Sequence, residues 1–340
     1  MDVLFPVWNG HVSFRESFLP LENADGSIDD IDLLFPVSEV MEVLSSSLKI
    51  VYAEGIDYCI VDGRLRIPAK SRIPKIRFED YYPAEPMEGH SFPKVGGGNV
   101  RYAEGAFFHD LQTVITYRHN EEWSDYIPEN KSDLLRKTKE KLSVAAPLRI
   151  VFFGDSISVG CNASSFIHAE PHQPIWCDLV ADRLEKETGS IVTSINTSVG
   201  GTGSAWAAET ADERAVRMNP DLVVLGFGMN DGGLEPEKFI ANIRKIIASV
   251  RKKNENCEFI LVSTMLPNKE AKGFFINQIN YEHALLHLEG NGIAVCNMTQ
   301  VHSALLKRKK YRDMTGNNVN YTNDYLSRVY AQAVIATLGY

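Results

Sequence analysis

The sequence predicts an α/β protein with two units: a parallel sheet covered by helices on both faces, preceded by a smaller unit of short strands. Three observations carry this. After Pro147, five short apolar runs alternate with segments of helical periodicity. Before about residue 120, the chain is broken by Gly and Pro into brief alternating runs. The chain is 340 residues long, which at about 150 residues per domain is a prior for two domains.

In the first unit the strand-like runs are 48–52, 58–61, 65–67 and 114–117, with the turn pair Asp62-Gly63 between the middle two. Short strands separated by turn signals predict a β-sandwich of jelly-roll type. Gly96-Gly97-Gly98 is too short for a linker and marks a loop or a close backbone approach. Residues 126–147 are polar and charged, with a helical piece around 133–142, and read as a connector. The expected division is therefore 1–125, 126–147 and 148–340.

In the second unit the strands are expected at 149–153, 191–195, 222–227, 259–262 and 293–296. The segment 235–252 places Phe239, Ile240, Ile243, Ile246, Ile247 and Val250 on one helical face. Further helices are expected at 176–187, 275–288, 302–308 and 325–338. Alternating strands and helices build a three-layer α/β/α domain on a parallel sheet. Ligands of such sheets sit beyond the carboxyl ends of the strands.

Composition removes several function classes. Hydrophobic residues make up 44% and charged residues 23%, the balance of a globular chain rather than a disordered or fibrous one. No apolar stretch is long enough to span a bilayer, so no membrane partner is expected. A net charge of −9, without a basic stripe, argues against nucleic acid. The five cysteines at 59, 161, 177, 257 and 296 have no CxxC spacing and an odd count, which suits a reducing, cytoplasmic setting. The N-terminus lacks the pattern of a signal peptide.

The chemistry lies at three strand ends. The first strand runs into Gly154-Asp155-Ser156-Ile157, a serine on a tight strand-to-helix turn. The second is followed by Asn196-Thr197-Ser198-Val199-Gly200-Gly201, whose glycines let backbone N–H groups approach a ligand. The third is followed by Gly228-Met229-Asn230-Asp231, which offers an amide donor. One nucleophile and two donors at neighbouring strand ends make an oxyanion hole for acyl transfer.

These three blocks, in this order, resemble the SGNH (GDSL-type) hydrolases over about 150–338. The resemblance implies a flavodoxin-like sheet, Ser156 as nucleophile, and oxyanion donors from Ser156 N–H, Gly201 N–H and the Asn230 amide. The first 125 residues resemble, more loosely, the accessory β-domain of a subgroup near carbohydrate acetyl esterases. The implied reaction is hydrolysis of a small acyl ester, acetyl foremost, on a saccharide, with no metal or organic cofactor. The fourth block departs from the family. Where its subgroup carries the general-base histidine stands Tyr321, and three residues earlier stands Asn318 instead of aspartate. The alternative to an esterase is a weak or inactive carbohydrate-binding protein that keeps the pocket.

Other residues read more blandly. Asp231 is expected to orient its loop. His283 and His287, four apart, lack the glutamate of a zincin. His168 and His172 flank a proline-containing loop, and His302 is a weak candidate for a displaced base. Trp176 and Trp206 read as core. Gly200-Gly201-Thr202-Gly203 lacks the further glycine and acidic partner of a dinucleotide fingerprint.

Overall fold

A computed structural model describes residues 3–340. The strands are β1 (Val12–Phe18), β2 (Glu39–Ser45), β3 (Cys59–Val61), β4 (Arg64–Arg66), β5 (Ser91–Pro93), β6 (Asn99–Arg101), β7 (Thr113–Arg118), β8 (Leu148–Gly154), β9 (Val192–Asn196), β10 (Leu222–Gly226), β11 (Glu258–Val262) and β12 (Ile293–Cys296). The helices are α1 (Phe78–Tyr81), α2 (Phe107–Leu111), α3 (Arg136–Ser143), α4 (Ser156–Val159), α5 (Trp176–Thr188), α6 (Ser204–Arg214), α7 (Pro236–Lys253), α8 (Gln278–Leu286), α9 (Met298–Leu306) and α10 (Asp324–Leu338).

β8 to β12 form one parallel sheet in the order β12-β11-β10-β8-β9. Because side chains alternate along a strand, the sheet divides its apolar residues cleanly. Ile150, Phe152, Leu222, Val224, Ile260 and Val262 share one core with α5, α9 and α10. Val151, Phe153, Val223, Leu225, Phe259 and Leu261 share another with α6, α7 and α8. The result is the expected three-layer α/β/α domain. The chain leaves β8 for β9 on one side and returns to β10 on the other. The carboxyl end of β8 is therefore the topological switch point, where such sheets bind their ligands.

α6 is the helix that apolar periodicity does not flag, because its buried face is only Ser204, Ala207 and Ala211. α9 begins at Met298, directly after β12, earlier than the expected 302.

The N-terminal unit is antiparallel β structure. β1, β7 and β2 form a three-stranded sheet in the order β1-β7-β2, and β3–β4 and β5–β6 are separate hairpins. Asp62 and Gly63, at φ +50° and +76°, make the expected tight turn of the β3–β4 hairpin. Gly96 to Gly98 form the β5–β6 turn. The expected strand at 48–52 is instead a return turn: Leu48 takes φ +62°, and Tyr52 N–H donates to Val43 O at 2.9 Å.

One hydrophobic core joins the two units, since Phe18, Ile115 and Tyr117 belong to the same cluster as Phe152, Val329 and Leu338. Polar contacts reinforce it. Glu16 and Lys309, both wholly buried, pair at 2.6 Å. Glu16 also accepts from Ser13, Tyr117 and the Leu34 N–H. Burying an ion pair is tolerable only when the remaining lone pairs are satisfied in this way. All five cysteines are free thiols. Among the described residues no helix is long and apolar enough to cross a membrane.

Candidate active site

β8 ends in Gly154 because nothing larger fits. A Cβ there would lie 2.5 Å from Gly226 O, and one on Gly226 would lie 2.6 Å from Ser158 Oγ. The close approach lets α4 start at once, capped by Asp155, whose Oδ1 accepts from Ile157 N at 3.0 Å. α4 is a single turn, ended by Gly160 in the left-handed conformation. Ser156 opens this turn at the switch point and is 2% exposed.

The loops after β9 and β10 are stitched to that turn. Gly154 N donates to Ser198 Oγ at 2.9 Å, and Val199 N donates to Gly154 O at 3.1 Å. A Cβ on Gly200 would lie 3.7 Å from the Ser156 Cβ. Gly201 takes φ +75° with open space beside it, a conformation that favours glycine. Asn230 Nδ2 donates to Thr202 O at 2.9 Å, which ties the third block to the second and leaves one amide N–H uncommitted. Among the described residues neither Ser156 N–H nor Gly201 N–H has an acceptor. The structure thus brings Ser156, Gly201 and Asn230 to one edge of the sheet.

Asp231 holds its loop. It accepts from Ser204 N at 2.8 Å and Ser204 Oγ at 2.6 Å, and Asn242 supports Ser204 at 3.0 Å. Burial raises the Asp231 carboxyl above its usual range. Burial likewise pushes Asp155 up to about 7, and the Asp231 charge adds to the effect. Each leaves its Oδ2 without a partner.

The fourth block is a rigid turn. Asn317 Oδ1 accepts from the N–H groups of Val319, Asn320 and Tyr321 at 2.9–3.0 Å. Thr315 Oγ1 and Gly316 N both donate to Tyr321 O at 3.0 Å. The turn presents the Tyr321 side chain, half-buried, to Ser156. Burial pushes its phenol up to about 12; Cys161 and Glu104 add to this, while the Ser156 hydroxyl pulls the other way. The Asn318 side chain is committed to the N-terminal unit. Wholly buried at φ +68°, it accepts from Tyr81 Oη at 2.9 Å and donates to Arg101 O at 2.9 Å.

Two residues at this edge escaped the sequence reading. Glu104, from the N-terminal unit, acts on both Tyr321 and Cys161. Asn162 donates to Gly105 O at 3.2 Å and Gly316 O at 2.7 Å. Their only sequence signal is position, Glu104 beside the flexible Gly105 and Asn162 just past the serine turn. His302 is not at the site: it is wholly buried, its Nδ1 accepts from Leu266 N at 3.0 Å, and burial depresses it to about 3. His168, His172, His283 and His287 are exposed. Trp176 is core, with its N–H on Ile157 O at 2.9 Å, and Trp206 packs partly buried against Phe153. A cleft of about 590 Å³ lined by Tyr82, Glu270, Phe275 and Tyr311 opens between the units, and Ser156 is not among its lining residues.

The model of the GDSL-like Lipase/Acylhydrolase family matches residues 152–318. The matched stretch lies within the C-terminal α/β/α unit. The chain is similar in fold to a two-domain esterase (CEX) active on acetylated mannans, with a TM-score of 0.50 at 20% identity over 62% of this chain. The same esterase co-crystallized with mannopentaose gives 0.51 at 19% identity. In both, the similarity spans about half of that esterase's chain, 54%. An acetylxylan esterase from Geobacillus stearothermophilus gives 0.48 at 14% identity, over 58% of this chain and 97% of its own. No curated protein matches the chain by sequence.

Proposed function

We propose that this protein is a serine esterase that hydrolyses small acyl esters, acetyl esters of saccharides foremost. The observation that carries the reading is the placement of Ser156 at the switch point, beside the unclaimed N–H groups of Gly201 and Ser156 and the Asn230 amide. Ser156 Oγ attacks the acyl carbon, and the three donors hold the oxyanion that develops. The saccharide preference draws on the fold neighbours and on the accessory β unit at 1–125, joined through 126–147 to the catalytic unit at 148–340.

A phenol held near 12 is a poor base at neutral pH. Tyr321 alone therefore does not replace the histidine, and this favours the second reading, a saccharide binder that keeps an esterase pocket. One experiment separates them. An esterase is labelled at Ser156 by a serine-directed phosphonate and turns over p-nitrophenyl acetate, and Ser156→Ala abolishes both. A binder does neither, yet raises its Tm with acetylated oligosaccharide.

A further inference from the structure

Three segments that are far apart in sequence are pinned together beside Ser156. The first is the serine turn itself, in which Cys161 N donates to Ser156 O at 3.1 Å and Asn162 follows directly. The second is the turn at Glu104-Gly105 of the N-terminal unit: Gly105 N donates to Asn162 Oδ1 at 3.4 Å, and Asn162 Nδ2 returns a bond to Gly105 O at 3.2 Å. The third is the fourth-block turn, which Asn162 grips through Gly316 O at 2.7 Å and which fixes the Tyr321 backbone through Gly316 N. Asn162 is 5% exposed, so the clamp is part of the packed structure. Tyr102 donates to Glu104 Oε1 and steadies the carboxylate.

We propose that Glu104 is the terminal proton acceptor for the Ser156 hydroxyl, reached through the hydroxyl of Tyr321. The inference rests on the esterase reading and supplies the base which that reading lacks. A phenol donates one proton and accepts another, so Tyr321 can pass a proton without becoming an anion. Ser156 and Glu104 both act on the Tyr321 phenol, and an ionised carboxylate can only accept, so Tyr321 has its proton to offer Glu104 and a lone pair to offer Ser156. The relay runs from the Ser156 hydroxyl to the Tyr321 oxygen and from the Tyr321 hydroxyl to the carboxylate.

In the first step Ser156 Oγ forms a bond to the acyl carbon as its proton moves to Tyr321 Oη and the phenol proton moves to Glu104. The carbonyl π electrons go to the oxyanion. Collapse breaks the bond between the acyl carbon and the alcohol oxygen, and the leaving alkoxide takes a proton back along the same chain. Water repeats the sequence to release the acid and free Ser156. Tyr321 stays neutral throughout.

The test is kcat on p-nitrophenyl acetate between pH 6 and 10 for the full chain, for Glu104→Gln, Tyr321→Phe and the double variant, with a proton inventory on the natural sequence. Glu104 is exposed on a turn, so Glu104→Gln is expected to keep its Tm. Each single variant should lose about 10²-fold or more at pH 7, and the double variant should lose no more than the worse single, as residues acting as one unit do. The residual rate of Glu104→Gln should climb with hydroxide across the range. The inventory should be curved, with two protons in flight. A Glu104→Gln rate within twofold of the natural chain, or a linear inventory, overturns the relay and leaves the esterase reading standing. If Glu104→Gln also lowers Tm, the inventory alone decides. A chain that neither turns over substrate nor reacts with phosphonate overturns both.

Discussion

The Tyr81 hydroxyl donates to Asn318 Oδ1 at 2.9 Å across the junction of the two units. By the resemblance of the fourth block an aspartate is expected where Asn318 stands, and Asn318 is committed to the N-terminal unit through Tyr81 and Arg101 O. Asn318→Asp should therefore fail to restore a catalytic acid, even with histidine installed at 321. It should also cost about 1–3 kcal/mol in urea melts, since the Arg101 carbonyl loses its donor and a carboxylate is buried in its place.

Tyr321→His should raise kcat at pH 7 by orders of magnitude, because an imidazole titrates near 6.5 and a phenol near 10. Glu104 then stands where it can orient the imidazole, so adding Glu104→Gln to that background should remove part of the gain. A Tyr321→His variant no faster than the natural chain would show that the natural arrangement of Tyr321 and Glu104 already serves the serine as well as an imidazole does.

Asn230→Ala should lower kcat by about 10²–10³. Asn230 is exposed and its amide makes a single bond to Thr202 O, so stability should change by no more than about 0.5–1.5 kcal/mol. Turnover unchanged from that of the parent would remove the amide from the oxyanion site.

Asp155 gives a pH signature. Its folded pKa is raised from 3.8 to about 7 by burial first and by Asp231 second. A carboxyl raised in the folded state contributes stability that is present at low pH and lost as pH climbs from about 4 through about 7. Asp155→Asn keeps the cap acceptor and cannot ionise. The stability of the natural chain relative to Asp155→Asn should fall by on the order of 2–4 kcal/mol between pH 4 and 8. A difference flat with pH, measured by urea melts, would show Asp155 to titrate normally.

Glu16→Ala should cost about 3–5 kcal/mol, because it leaves Lys309 charged and unpaired in the core. By the same argument, excising residues 1–120 should expose the shared core and yield an insoluble fragment. A soluble 145–340 with a cooperative melt would refute this.

Much of the C-terminal sheet was legible because each strand is a continuous apolar run between helices, and the periodicity of α7 follows from its one buried face. α6 was not, since it packs through alanines. β1 was hidden for a different reason. It buries Ser13, Glu16 and Ser17, which spoils the alternation that marks a strand, and partners distant in sequence, Tyr117 and Lys309 on Glu16 and the Asp313 carbonyl on Ser17, make that burial tolerable. At the site, the strand-end blocks announce Ser156, Gly201 and Asn230 because short motifs place them. Glu104 carries no such mark. It reaches the site through the Asn162 clamp, a contact between turns that no local pattern encodes.

The pairing of Glu16 with Lys309, the donation of Leu19 N to Asp313 Oδ1, and the grip of Asn323 on Ser17 and Gln112 also set an order of events during synthesis. β1 buries a carboxylate whose partner is made 293 residues later in the chain. Until the segment from Lys309 to Asn323 emerges, the Glu16 carboxylate has no cation to pair with and the Tyr321 turn is incomplete. The nascent chain must hold β1 unfinished while everything between the two segments is made, so a product stalled before Lys309 is exposed to aggregation rather than left as a smaller stable fold.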